Sequence, residues 1–395
     1  MRQPAAEPVR ADGLRLSWLG HSTGRRADGL TAYSEQVVGG LSGRGATVYF
    51  HHSRSDGHEL SGRAAEEILW PTAHFKTVTM SHPTFRRRMD RWLQTHHPQV
   101  THCSVSFTLD DGWVGQAALA AGCATVATFH LPFGQPGTGR ATVMRQLHRF
   151  WARRLNSYQR VIVFSEDHLE RLVQVGFRRE RLVVVPNAVD ADVFAPSPGQ
   201  LRHLRFPESD LVVGFAGRLD PEKGIRELLA GFRAAELGSG ARLLVAGAGS
   251  LEHEVRRAAA QDPRVVYLGQ LRELRERVDF WRSIDLFCLP SSAEGLSLAL
   301  LEAMATGCAV AVTPAGGLPA LGEAGLELDP LRLKDSISDQ LREVARAPEM
   351  ARLKGLEARA AAVRHHGLKE MLDRLLSIYQ DARAQLPSEG GTEQP

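Results

Sequence analysis

The sequence predicts an α/β protein made of two Rossmann-like domains. Three observations predict it. The chain has 395 residues, more than one ordinary core encloses and room for two domains of roughly 150–200 residues each. Short apolar, β-branched-rich runs alternate with longer segments of helical period, the pattern of βαβ units and parallel sheets. The series breaks at Pro196, Pro198 and Gly199 and then begins again.

In the first half, strands are expected over residues 14–19, 47–50, 100–104, 124–128, 161–164 and 182–185. Helices are expected between them, over 32–41, 140–155 and 167–175, where apolar positions recur at three- and four-residue spacing. The second series places strands over 212–216, 243–246, 265–268, 286–289 and 309–312. Most of these strands stop at a Gly, Pro or Ser, where a doubly wound sheet carries its ligand loops. The domains are therefore set at 1–190 and 197–365. A helix follows over 366–385, and the polar segment 386–395 is expected to be a disordered tail.

Composition narrows the function classes. Hydrophobic residues make up 43% and charged residues 24%, the balance of an ordinary water-soluble domain. Glu7 and Asp12 interrupt the opening residues, which do not read as a secretory leader. No run reaches the roughly 18 apolar residues of a membrane span. Cys103, Cys123, Cys288 and Cys308 form no CxxC pair and sit among small or apolar residues. They read as buried free thiols of a cytoplasmic protein. Residues 1–195 hold 23 Lys and Arg against 17 Asp and Glu, whereas the remainder holds 25 against 28. A basic first half can meet a membrane surface or an acidic acceptor. Arg86, Arg87, Arg88 and Arg91 are its densest spot, and no interleaved aromatics point to nucleic-acid stacking.

The most informative stretch runs from Ser291 to Ala305. A strand stops at Pro290, a loop of small residues follows, and a helix of strong formers starts near Ser297. The unpaired amides of such a start suit a phosphate. Glu302 lies inside Leu-Ala-Leu-Leu-Glu-Ala-Met-Ala, where a buried carboxylate needs donors. Sugar hydroxyls would supply them. An exposed stripe of an amphipathic helix, with Glu294 a plain loop charge, explains the same spacing.

With Glu294 and Glu302 separated by seven residues inside Glu-Gly-x-x-Leu-x-Leu-Leu-Glu-Ala-Met-Ala, the stretch resembles the signature of family 4 retaining glycosyltransferases. Further segments match in order: Thr128-Phe129-His130, Pro186-Asn187-Ala188-Val189-Asp190 with Phe194, and Gly217-Arg218-Leu219-Asp220-Pro221-Glu222-Lys223-Gly224. Gly247-Ala248-Gly249, Leu268-Gly269 and Gly316-Gly317 follow them. The resemblance spans residues 14 to 380 and makes the exposed-stripe reading of Glu302 the minor one. It implies the GT-B arrangement, two Rossmann-like domains facing each other across a cleft, with the last helix packing back toward the first domain.

The resemblance also implies roles. Arg218 and Lys223 would neutralise a donor diphosphate, and Glu302 would accept the ribose hydroxyls. Glu294 would hold the donor sugar, and the amides of Ser297 and Leu298 would contact phosphate or sugar. Gly269, Gln270 and Leu271 would border the base. His130 would position the sugar, and Gly29 would give the close backbone approach to phosphate. Asp28 stands where the family often has a second glycine, Ala188 replaces a frequent Gly, and Ala320 a frequent Glu.

The expected activity is transfer of a sugar, with retained configuration, from a nucleoside-diphosphate sugar, UDP-linked by expectation, to a hydroxyl of a lipid, glycan or small molecule. No metal or cofactor is expected, and no nucleic-acid partner. A silent nucleotide-sugar-binding subunit, and a phosphorylase or epimerase on the same scaffold, are the alternatives. Asp190-Ala191-Asp192 resembles a metal-binding Asp-x-Asp but lies between the domains and reads as a solvated loop. Gly247-Ala248-Gly249 lacks the third glycine of a dinucleotide fingerprint, with Glu252 in its place. The doublets His51-His52, His96-His97 and His365-His366 read as surface residues.

Overall fold

The computed structural model describes residues 8–20, 29–53, 66–70, 72–75, 78–105, 110–130, 139–206, 211–294, 296–317 and 321–387. The expected glycine loop at 21–28, with Asp28, lies outside the described residues, as do Gly295, Ala320 and most of the 386–395 tail.

The first sheet has seven strands. They are β1 (Arg15–Leu19), β2 (Thr47–Ser53), β3 (Glu66–Trp70), β6 (Val100–Val105), β7 (Ala124–Phe129), β8 (Arg160–Val163) and β9 (Leu182–Val184), in the order β3-β2-β1-β6-β7-β8-β9. Every neighbouring pair is parallel. β6 and β7 are buried along their whole length, as parallel strands covered on both faces must be. The connecting helices are α1 (Gly29–Ser42), α2 (Phe85–His96), α3 (Asp110–Ala120), α4 (Gly139–Leu155) and α5 (Glu166–Gln174). A small antiparallel hairpin, β4 (Thr72–Phe75) with β5 (Val78–Ser81), precedes α2.

The second sheet has six parallel strands, β10 (Leu211–Ala216), β11 (Ala241–Ala246), β12 (Val265–Gly269), β13 (Leu286–Leu289), β14 (Ala309–Val312) and β15 (Leu326–Glu327), ordered β12-β11-β10-β13-β14-β15. The helices of this half are α6 (Gln200–Arg205), α7 (Ile225–Ala234), α8 (Glu252–Gln261), α9 (Leu274–Arg282), α10 (Leu298–Ala305), α11 (Leu333–Arg346) and α12 (Pro348–His365). Each sheet reverses its strand order at its first strand, β1 or β10, which puts the switch-point crevice at the carboxyl ends of the central strands.

The last helix, α13 (Leu368–Ala384), belongs to the first domain's core. Its Leu372, Leu375, Leu376 and Tyr379 pack with Leu16, Val37 and Leu41. The approach to α1 is close enough that a Cβ on Gly40 would stand 2.4 Å from Leu372 Cδ1. The two crossings between domains are stitched together. Val189 N donates to His366 O at 2.8 Å, and Leu368 N donates to Val189 O at 3.1 Å.

Three histidines differ from the expectation of surface doublets. His51 and His52 are buried, and so is His366. The first two are consecutive on β2, an inner strand covered on both faces, so the pleat sends one to each buried side. His51 Nδ1 accepts from Trp70 Nε1 at 3.0 Å, and Phe50 stacks on His52. Burial, together with the nearby His96 and His52, pushes the His51 pKa down to about 3. The four cysteines are buried and free. Among the described residues no helix is long and apolar enough to cross a membrane, and no three potential ligands gather as a metal site.

Candidate active site

The strand ends of the second sheet assemble the charged groups. After β10 the chain turns through a 3-10 segment, Pro221–Lys223, and stops at Gly224 with φ +68° before α7 starts. A Cβ at Gly224 would lie 2.3 Å from Pro290 O. This position therefore needs glycine twice over, for its backbone angle and for contact with the end of β13. The contact is what brings Lys223 to the loop that follows β13.

Lys223 Nζ pairs with Glu294 Oε2, and both side chains are nearly withdrawn from solvent. Ser292 N donates to Glu222 O at 2.9 Å, a second tie between the two loops. Arg218 pairs through Nη1 with Asp220 Oδ2 and through Nη2 with Glu222 Oε1, the latter at 2.8 Å. Asp220 Oδ1 is held in turn by Ser250 N at 3.0 Å and Ser250 Oγ at 2.9 Å. Burial raises the Asp220 and Glu222 pKa values, but hydrogen bonds and the Arg218 charge outweigh it and hold both below the usual carboxylate range.

Ser297 caps α10, its Oγ accepting from Leu300 N at 3.5 Å, and Leu298 opens the helix. The first turn of this eight-residue helix therefore faces the same loop as Glu294. The first domain touches this point directly. Asn187 Nδ2 donates to Leu296 O at 2.6 Å, and Leu298 packs on the first domain's core.

Glu302, about one turn into α10, is 8% exposed. Donors from the chain itself meet its carboxylate. Arg277 Nη2 reaches Oε1 at 2.6 Å and Trp281 Nε1 reaches Oε2 at 2.7 Å. Both donors sit on α9, four residues apart and so on one face. The exposed-stripe reading of Glu302 is thus wrong, and a buried acid is made tolerable here by a cation and an indole N–H. Gly269 ends β12, with Gln270 and Leu271 just after it, and Gly269 O accepts from Gly247 N at 2.7 Å.

In the first domain His130 follows β7. Its Nε2 is 2.9 Å from Ser104 Oγ, and its ring meets Tyr33 edge-on at 5.0 Å and Phe164 at 5.1 Å. Behind it runs a buried polar chain. Tyr33 Oη lies 3.3 Å from Thr128 Oγ1, which lies 2.8 Å from His102 Nε2, and His102 Nδ1 lies 2.7 Å from Tyr379 Oη. Gly29 opens α1 and a Cβ there would meet open space. Arg218, Lys223 and Glu294 thus form one group, Glu302 is anchored separately by α9, and His130 and Gly29 belong to the other domain.

Sequence reasoning missed four residues, Asp220, Glu222, Arg277 and Trp281. The i, i+4 spacing of Arg277 and Trp281 was the available signal, but nothing in it named Glu302 as their target.

Two doubly wound domains face each other here, with paired cations and glutamates at the strand ends of the second. They define a protein of the GT-B class. Residues 27–193 match the model described as Glycosyltransferase Family 4, and residues 210–346 the one described as Glycosyl transferases group 1. The chain belongs to this glycosyltransferase family.

A relative from Mycobacterium tuberculosis, the GDP-mannose-dependent alpha-mannosyltransferase, is 32% identical over 255 residues, 61% of each chain. The D-inositol 3-phosphate glycosyltransferase of Mycolicibacterium smegmatis is 33% identical over 175 residues, 40% of this chain and 38% of that protein. The matched region thus spans three fifths or less of these relatives' own length. Among solved structures, sucrose-phosphate synthase from Thermosynechococcus elongatus superposes with a TM-score of 0.77 at 19% identity, covering 94% of this chain and 99% of that one. The Anabaena protein HepE, solved with UDP and glucose, gives 0.74 at 18% identity over 93% and 99%. At such identities these two speak for the fold.

Proposed function

We propose that the protein transfers a hexosyl group from a nucleoside-diphosphate sugar to an acceptor hydroxyl, with retention and without a metal ion. The observation that carries this reading is the gathering of Arg218, Lys223 and Glu294 beside the start of α10. Two cations and a helix N-terminus are what a leaving diphosphate needs as its charge grows. A carboxylate beside them can accept hydroxyls of the sugar. In the reaction the bond from the sugar C1 to the diphosphate oxygen breaks and a bond from the acceptor oxygen to C1 forms. The acceptor proton passes to a donor phosphate oxygen on the same face. Catalysis by the chain is then positioning and electrostatic stabilisation.

Glu302, fixed by Arg277 and Trp281, keeps lone pairs for ribose hydroxyls, and His130 would border the sugar from the first domain. The sequence points to a UDP-sugar, while one relative is named for GDP-mannose and HepE was solved with UDP. The base is therefore a variable of the assay. We place the enzyme in the cytoplasm, where the exposed arginines of α2, Arg87 and Arg91 among them, can meet an anionic membrane surface.

The test is incubation with UDP- and GDP-hexoses and a panel of hydroxyl acceptors. Free UDP or GDP should appear together with a glycoside whose anomeric proton coupling matches that of the donor. Release of a sugar phosphate, an epimerised nucleotide sugar or an inverted glycoside would overturn the reading. So would tight donor binding without turnover on any acceptor, which would leave the silent-subunit alternative.

A further inference from the structure

We infer that Glu222 holds the place on Arg218 that a donor phosphate oxygen takes, competes with it there, and so weakens the hold on the nucleoside-diphosphate product. The inference rests on the reading of Arg218 as a diphosphate-binding residue. Its basis is the pairing of the site's charges. Both terminal nitrogens of Arg218 are already engaged by carboxylates, Nη1 by Asp220 and Nη2 by Glu222 at 2.8 Å. Lys223 is engaged by Glu294. Two cations thus face three carboxylates, one negative charge in excess. A diphosphate entering the site meets repulsion unless a carboxylate leaves.

The two acids on Arg218 are not equivalent. Asp220 is pinned from behind by the amide and hydroxyl of Ser250, so it orients the guanidinium and stays. The Glu222 backbone is tied to the neighbouring loop through Ser292, whereas its carboxylate is held by its own backbone N–H and by Arg218, with its side chain 25% exposed. It can turn to solvent about its own side-chain bonds while the backbone stays still. Arg218, half exposed, offers the freed Nη2 edge to the incoming oxygen. The exchange conserves charge at the guanidinium, one carboxylate leaving for one phosphate oxygen. After transfer the carboxylate competes for the same edge and favours release of the diphosphate.

Calorimetric titration of GDP, UDP and pyrophosphate into the full-length protein and into Glu222→Gln tests this. Two single variants and the double variant Arg218→Met/Glu222→Gln serve as controls. Glu254→Gln, on α8, removes an equal charge from the pair with Arg226 of α7, and Arg218→Met removes the proposed partner. Glu222→Gln should bind the nucleoside diphosphate and pyrophosphate roughly two- to tenfold more tightly. Glu254→Gln should bind as the parent does, and the gain should vanish in the Arg218→Met background. Loss of packing or folding at residue 222 cannot tighten binding, so a gain reports the vacated place. Unchanged or weaker binding by Glu222→Gln, with a parent that does bind, overturns the inference and leaves the donor reading intact. An equal gain in Glu254→Gln would assign the effect to overall charge and also overturn it. Failure of the parent and the variant alike to bind GDP and UDP would overturn the donor reading, and the inference with it.

Discussion

Arg277 and Glu302 meet at 2.6 Å between α9 and α10, and Trp281 from the same face of α9 takes the second carboxylate oxygen at 2.7 Å. The pair decides the orientation of an acid on a helix whose other residues at this level, Leu301, Ala303 and Met304, are buried and apolar. Removing the cation leaves the carboxylate with one donor in an apolar setting. Arg277→Met should therefore cost about 2–3 kcal/mol of stability, the lower part of the range for breaking a buried pair because the guanidinium is partly exposed. Arg277→Met combined with Glu302→Gln should recover part of the loss, since the amide still accepts from Trp281. Denaturant unfolding of the two single variants and the double variant measures this. Additive losses would mean that the two side chains do not support each other.

Lys223 and Glu294 should separate binding from transfer. Lys223→Ala removes a charge-assisted contact and should weaken UDP or GDP binding by about 1.5–3 kcal/mol. Glu294→Gln keeps the shape and should spare the bare nucleotide while cutting turnover, because its carboxylate is assigned to the sugar. Titration with nucleotide and initial rates with donor give the two readouts. Equal effects of both substitutions on nucleotide affinity would place Glu294 among the phosphate contacts instead.

The contrast between these sites and the sequence is instructive. The strands of both sheets were legible within a few residues, because a parallel strand buried on both faces writes itself as an apolar run, as Leu211–Ala216 and Ala309–Val312 do. β3 and β15 were not, since β3 starts Glu66-Glu67 at one sheet edge and β15 is only the two residues Leu326–Glu327 at the edge of the other. α2 is faint in the sequence although Phe85, Met89 and Leu93 give it a buried stripe, because arginines and other polar residues fill most of its twelve positions. Of the site, the start of α10 could be read from Ser297 ahead of strong helix formers, whereas spacing alone left Glu294 and Glu302 open to a loop charge and an exposed stripe until the family resemblance singled them out. The partners could not. Arg277 lies 25 residues before Glu302 and Lys223 lies 71 residues before Glu294, and only packing of separate βα units brings each pair together. The same holds for His51 and His52, whose polarity reads as surface until the order of the strands is known.

Turnover should persist in excess EDTA. The charge on a leaving diphosphate is met in this proposal by Arg218, Lys223 and the α10 amides, so no divalent ion is assigned a task. Initial rates before and after chelation, with magnesium and manganese added back, give the comparison. Complete loss that either metal restores would require an ion in the site.

Stability should fall on mild acidification, before carboxylates titrate. Burial, reinforced by His96 and His52, holds His51 at about 3, and burial, reinforced by His130, holds His102 well below its ordinary value. In the unfolded chain both return to about 6.5. The unfolded state therefore binds protons first. The contribution of each is complete above about pH 6.5 and is lost as the pH falls below it, for His51 down to about pH 3, at up to about 1.4 kcal/mol per pH unit and per histidine. Asp220 and Glu222, whose folded values are depressed, lose their contribution only below the ordinary carboxylate range. Denaturant midpoints between pH 7.5 and 5 should thus decline steadily. A flat profile across that interval would mean that the histidines are protonated in the fold or reach water there.

Tyr379→Phe should loosen the C-terminal helix from the first domain. Tyr379 lies on α13, is 1% exposed, and its hydroxyl meets His102 Nδ1 at 2.7 Å. His102 in turn shares Thr128 with Tyr33, whose ring borders His130. The substitution keeps the ring and its packing against the first-domain core but leaves a buried imidazole nitrogen without its partner. The expected loss is about 1–3 kcal/mol, the cost of an orphaned buried polar group rather than of a cavity. Because α13 also reaches the first domain through Arg44 with Asp373 and through Gln159 Nε2 donating to Ala382 O at 2.7 Å, the helix should fray rather than detach. Hydrogen exchange would then quicken in α13 and in β6 and β7 around His102, while α9 and α10 in the other domain keep their protection. Uniform quickening across both domains would show that the network stabilises the whole chain. No quickening at all would show that water or another donor replaces the hydroxyl without loss.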